Sequence, residues 1–131
     1  MIDKDSMYNT PPCWCIYMLG LVLEWLEGQG GVPGMEAVKH GKAAMLYDAI
    51  DSSRLFTCAV EKGSRSDMNV VFRTGSDELD AKFVKESTAA GFTNLKGHRS
   101  VGGMRASIYN AMPVEGVEKL CDFIKAFERA N

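Results

Sequence analysis

Leu55-Phe56-Thr57-Cys58-Ala59-Val60 and Met68-Asn69-Val70-Val71-Phe72, separated by Lys62-Gly63-Ser64-Arg65-Ser66-Asp67, decide the fold. Two short runs rich in β-branched and aromatic residues flank a turn-prone segment, which predicts an antiparallel pair of strands. Helical periodicity surrounds this pair. Upstream, Asn9-Thr10-Pro11-Pro12 predicts a helix capped by Thr10, with proline in its first turn, running to about Glu27 and stopped by Gly28, Gly30 and Gly31. That helix is apolar on nearly every side, with Trp14, Ile16, Tyr17, Leu19, Leu21 and Trp25 among its residues, so one covered stripe would not satisfy it. A second, amphipathic helix is predicted from about Met35 to Ile50, with Met35, Val38, Met45, Leu46, Ala49 and Ile50 on one face.

Downstream, Asp77 to Ala90 carries Leu79, Phe83 and Val84 at helical spacing and ends at Gly91. Short strands are predicted at Thr93 to Leu95 and Arg105 to Tyr109. A last helix starts at Pro113, with Val117, Leu120, Cys121, Ile124 and Phe127 as its buried stripe and Glu118, Lys119, Asp122, Lys125 and Glu128 facing water. This order describes an α+β domain, a small, mostly antiparallel sheet with helices packed on it.

The 131 residues suit one domain with a single core and leave no room for a complete two-domain enzyme. Fifteen Lys and Arg against 17 Asp and Glu give a net charge of -2, which removes the global electrostatic footprint of a nucleic-acid binder. The longest apolar run, Cys13 to Leu23, is short of the roughly twenty residues a membrane span needs. It also lacks a signal-peptide pattern, so a cytoplasmic protein is expected. Cys13, Cys15, Cys58 and Cys121 show no metal-ligand spacing and are expected to be buried or half-buried thiols; no metal is called for.

Chemistry concentrates in Lys96-Gly97-His98-Arg99-Ser100-Val101-Gly102-Gly103-Met104-Arg105, where four potential cations and three glycines share ten residues. No Asp or Glu occurs from Ser87 through Val114, so these cations have no neighbour in sequence to neutralise them. Arginine forks match carboxylate and phosphate oxygens, and glycine permits close backbone approach, so the segment suits a small anionic ligand. Pairing of Arg99 and Arg105 with acids elsewhere in the fold, with His98 hydrogen-bonded structurally, is the alternative. A second candidate is Tyr8-Asn9-Thr10-Pro11-Pro12 at a helix N-terminus, where a phosphate is favoured although the prolines offer no N–H. Arg65-Ser66-Asp67-Met68-Asn69 reads as a loop leading into an edge strand.

Three blocks carry a resemblance: Asp5-Ser6-Met7-Tyr8-Asn9-Thr10-Pro11-Pro12, Arg65-Ser66-Asp67-Met68-Asn69-Val70, and the run from Leu95 through Pro113. Together they resemble the C-terminal part of the phosphoserine aminotransferase family over nearly the whole chain. The resemblance implies the small domain of a fold-type I, class V aminotransferase that uses pyridoxal 5'-phosphate. Such an enzyme interconverts 3-phosphohydroxypyruvate plus glutamate with phosphoserine plus 2-oxoglutarate in serine biosynthesis. It implies that Arg105 holds the substrate α-carboxylate and that His98 and Arg99 lie where the distal phosphate or carboxylate is received, across a homodimer interface. Asn9 and Thr10 would contribute to the cofactor phosphate site of the neighbouring subunit.

Family members are far longer, and none of the nine lysines here stands in the family's Schiff-base motif. No catalytic residue is therefore assigned. The expectation is a small domain spanning residues 1–131, with the inter-domain helix in 1–30, that lacks the large cofactor domain. It should be inactive alone, hold no cofactor tightly and self-associate through its apolar first helix. A naturally short, non-catalytic anion-binding or regulatory module is the competing reading.

Overall fold

In the computed structural model, which describes residues 2–131, three antiparallel strands carry the architecture. The central strand β2 (Asn69–Thr74) lies between β1 (Phe56–Thr57) and β3 (Met104–Ser107). In register, Phe56 faces Thr74, Val70 faces Ala106, Val71 faces Arg105 and Phe72 faces Met104. The period of two sorts these strands. Val70, Phe72, Thr74, Met104 and Ala106 are buried, while Asn69, Val71, Arg73, Arg105 and Ser107 are only half-buried or exposed on the other face.

Among the described residues there are four α-helices, α1 (Cys13–Gly28), α2 (Gly31–Asp51), α3 (Asp77–Ala89) and α4 (Val114–Ala130), besides two short 3-10 turns. The stripe Val117, Leu120, Cys121, Ile124 and Phe127 of α4 is buried as its spacing predicts. It meets Leu46 and Ile50 of α2, Phe83 of α3 and the inner face of the sheet in one core. Phe83 sits at its centre, with ring centroids 5.2 Å from Phe56, 5.8 Å from Phe72 and 5.1 Å from Phe127 in edge-on contacts that favour aromatic pairs. Ser76 caps α3, accepting a hydrogen bond from the Leu79 amide. Buried Asp80 turns back onto β2, its Oδ1 accepting from the Thr74 amide at 2.7 Å and the Thr74 hydroxyl at 2.8 Å. The α+β class is as expected.

The chain divides into two units, one ending at Glu36 and one running from Ala37 to Asn131, where length alone had pointed to one core throughout. The core just described belongs to the second. In the first, α1 has no buried residue: Trp14, Ile16, Tyr17 and Leu19 are all more than half exposed. Cys13 and Cys15 are consequently exposed, correcting the expectation of four sheltered thiols; Cys58 is half-buried and Cys121 buried. Thr10 does not cap α1. The capping position falls on Pro12, with no side-chain cap, because a residue that precedes proline is pushed out of the helical region, and both Thr10 and Pro11 precede one.

Several boundaries differ. The second helix starts at Gly31, four residues earlier than expected, and the strand expected from Leu55 to Val60 shortens to two residues. Thr93 to Leu95 forms no strand; pairing there is a single bridge between Lys96 and Met104. The strand after Asp67 is the central one, not an edge. Glu128 does not simply face water, since its carboxylate accepts the Arg54 amide at 2.6 Å.

Candidate anion-binding site

The segment from Leu95 to Arg105 closes on itself as a glycine hairpin. The Gly97 amide donates to the Gly103 carbonyl and the Arg105 amide to the Leu95 carbonyl, each at 2.8 Å, while Val101 and Gly102 both donate to the His98 carbonyl. Glycine is required here on steric grounds. A Cβ on Gly97 would lie 2.0 Å from the Gly102 oxygen, and Gly103, at φ +63°, would press a Cβ to 2.8 Å from the Phe72 carbonyl. The hairpin therefore lies directly on β2, with His98, Arg99 and Ser100 exposed at its tip and Arg105 leaving its end as part of β3.

Among the described residues, ion pairs engage His40, Lys62, Arg65, Arg73 and Lys82, and none engages Arg99 or Arg105. The structural alternative for these two arginines thus loses its premise. The Arg105 Nε is buried without a hydrogen-bond partner among the described residues. A cavity of about 100 Å³ borders Arg105, His98, Arg73 and Val71 against the hairpin glycines. An open cleft of about 920 Å³ between the hairpin and α3 is bordered by His98, Arg99, Lys96, Lys85 and Arg73, with Asp77 and Asp80 on the α3 side. His98 belongs to both. Its Nδ1 lies 2.7 Å from Ser100 Oγ and 3.3 Å from the Ser100 amide.

The structure thus gathers His98 with Arg105 around one cavity and His98 with Arg99 around the other. Asn9 and Thr10 lie in the first unit, exposed and with no side-chain hydrogen bond among the described residues, so their polar groups are available to a phosphate. Arg73 was missed at the sequence level although the alternation of β2 places it on the same sheet face as Arg105. Among the described residues its guanidinium pairs only with Asp77 at 3.1 Å, which is 94% exposed, and such a surface pair holds a guanidinium weakly.

Arg65 and Lys42 are accounted for internally, whereas Asp80 Oδ2 and Asn110 Oδ1 are, like Arg105 Nε, buried without a partner among the described residues. Arg65 forks onto Asp51 with two bonds of 2.8 Å and lies 4.6 Å over the Tyr47 ring, so its guanidinium is taken up within the fold. The fork holds the Asp51 carboxyl below the usual carboxylate range. Lys42 is buried in α2 and donates from Nζ to the carbonyls of Tyr109 at 2.8 Å, Asn110 at 3.4 Å and Met112 at 2.8 Å. Burial pushes its pKa below the ordinary lysine value, and the three acceptors oppose that push.

Residues 1–120 match the family profile described as aminotransferase class-V. The chain is 59% identical over 129 residues to a phosphoserine aminotransferase of Listeria monocytogenes, covering 98% of this chain and 36% of that protein. It is 57% identical over 132 residues to one from Lactococcus lactis, again spanning 36% of the relative. Among solved structures, the phosphoserine aminotransferase of Bacillus circulans subsp. alkalophilus superposes with a TM-score of 0.93 at 50% identity, over 98% of this chain and 36% of that one. A pyridoxal-phosphate-bound phosphoserine aminotransferase from Trichomonas vaginalis gives 0.86 at 40% identity, over 95% and 36%. The chain spans little more than a third of the length of these relatives.

Proposed function

Because the chain belongs to the class-V aminotransferase family, we propose that residues 1–131 are the C-terminal small domain of a phosphoserine aminotransferase, with the inter-domain helix in 1–30. The whole enzyme moves an amino group between glutamate and 3-phosphohydroxypyruvate, works as a homodimer in the cytoplasm, and requires neither nucleic acid nor membrane. No helix among the described residues is long and apolar enough to cross a membrane. One observation carries the reading: among the described residues no carboxylate pairs with Arg99 or Arg105, and the two stand with His98 around adjoining cavities on a hairpin that only glycines permit.

In this reading the Arg105 fork binds the α-carboxylate, which is supported by an Nε without a partner among the described residues and by the lack of an ion pair to Arg105 there. His98 and Arg99 receive the distal phosphate of phosphoserine or the distal carboxylate of glutamate. Fixing both ends of a dianionic substrate orients the bond that must react, and charge-assisted hydrogen bonds of this kind contribute about 1.5–3 kcal/mol each. Asn9 and Thr10 hold the phosphate of the cofactor in the neighbouring subunit. Bound pyridoxal 5'-phosphate would supply the electron sink for amino transfer. The chain's donors fit the phosphate of that group but not its amine-linking role, since the buried lysine, Lys42, is taken up by three carbonyls.

The test is Arg105→Lys in the full-length enzyme. A point charge does not reproduce the fork, so KM for glutamate and phosphoserine should rise, roughly tenfold or more. Unchanged kinetics would remove Arg105 from this role and the anion site with it.

A further inference from the structure

Resting on that reading, we infer that Ser100 is a positioning residue that holds the His98 imidazole with Nε2–H presented to the substrate's distal anion. A neutral imidazole has one donor and one acceptor nitrogen, and which is which follows from what faces them. Here Nδ1 faces the Ser100 amide at 3.3 Å, and a backbone N–H can only donate. A proton on Nδ1 would meet the amide proton head-on, so Nδ1 accepts. The Ser100 hydroxyl, at 2.7 Å, turns its own proton toward the same nitrogen and is the shorter of the two contacts. The ring proton therefore sits on Nε2, the nitrogen away from Ser100.

This arrangement matters because the tip is exposed and the ring has no other hydrogen-bond partner among the described residues. Without Ser100 Oγ only the longer amide contact would restrain it. The turn that closes on the His98 carbonyl, through the amides of Val101 and Gly102, keeps Ser100 two residues away on the same side as Nδ1. His98 then offers the anion a directed donor beside the guanidinium of Arg99, and donors held in place before the ligand arrives bind without the cost of ordering them. Specificity for an oxygen-rich anion follows, since an Nε2 without its proton would repel that ligand.

The experiment has two arms. In the full 131-residue chain carrying nitrogen-15 histidine, long-range proton–nitrogen spectra above the imidazole titration should show His98 Nε2 protonated and Nδ1 bare. In Ser100→Ala the Nδ1 resonance should move toward that of free imidazole, and in Ser100→Thr it should not. In the full-length enzyme, Ser100→Ala should raise KM for 3-phosphohydroxypyruvate about five-fold, as loss of one neutral hydrogen bond predicts, while kcat changes less than about two-fold. Ser100→Thr should restore KM. A wild-type ring protonated at Nδ1, an Nδ1 signal unmoved by Ser100→Ala, or a KM raised by His98→Leu but not by Ser100→Ala each overturns the inference alone. A KM unmoved by His98→Leu instead overturns the anion reading beneath it.

Discussion

Replacing Lys42 with Met tests whether an internal cation, rather than apolar contact alone, fixes the turn that follows β3. Lys42 is 1% exposed, faces no carboxylate and gathers the carbonyls of Tyr109, Asn110 and Met112 around one nitrogen. Methionine fills nearly the same volume, so little of the effect should come from a cavity. Two of the three contacts are 2.8 Å and the third is long, and an ammonium–carbonyl bond contributes about 1.5–3 kcal/mol. Relief of lysine's own desolvation offsets part of that, while the carbonyls lose their donor without gaining water. The net cost should be about 3–5 kcal/mol, in the range seen when one side of a buried charged interaction is removed. Trp14 and Trp25 both lie in α1, so tryptophan fluorescence reports the wrong unit. Amide hydrogen exchange at Val70 and Phe72, buried in the central strand, is the suitable readout. Their exchange should accelerate roughly 10²- to 10³·⁵-fold, since each 1.4 kcal/mol is a factor of ten. Lys42→Arg should also destabilise, because a planar fork does not converge on three carbonyls in a closed site. Acceleration of less than about tenfold in Lys42→Met would mean that the carbonyls find water and that the clamp is incidental.

Three other perturbations probe separate parts of the fold. Asp51 has its carboxyl pKa lowered by Arg65, so its contribution to stability is fully present above the ordinary carboxylate value and is lost as pH falls through the lower, folded value. Asp51→Asn should accordingly be less stable than wild type at pH 7, and urea midpoints of the two proteins should converge in acid; a gap that persists into strong acid refutes the linkage. Gly97→Ala should open the hairpin because its Cβ would meet the Gly102 oxygen at 2.0 Å, costing about 1–3 kcal/mol, and should strip the Gly97 and Arg105 amides of exchange protection. Protection equal to wild type would show that the hairpin has slack. The exposed apolar residues of α1 should drive concentration-dependent self-association, visible by light scattering and weakened by Leu19→Glu, whereas a strict monomer across a wide concentration range would count against it.

What the sequence revealed depended on how local the cause was. The α4 stripe was legible to the residue because its spacing is a property of one helix, and Phe56, Val70 and Phe72 were legible as strand residues because β-branched and aromatic side chains suit a pleated, half-buried surface. Lys42 was not, since the carbonyls that satisfy it lie 67 to 70 residues downstream and a backbone acceptor has no signature in side-chain chemistry. Its position offered one clue: it falls one turn from Leu46 on the face that α2 buries, where an unpaired lysine demands an acceptor. Cys13 and Cys15 were misjudged for the opposite reason, because hydrophobic composition says that a surface wants cover without saying what covers it. The anion site falls between these cases. An acid-free stretch holding His98, Arg99 and Arg105 shows donors without local partners, but only the fold could exclude distant ones: among the described residues no carboxylate pairs with Arg99 or Arg105, and of the two acids that border the cleft Asp77 reaches Arg73 while Asp80 Oδ1 is held by Thr74. A cluster of cations becomes a receptor when the surrounding acids are already committed, and that commitment is a tertiary fact.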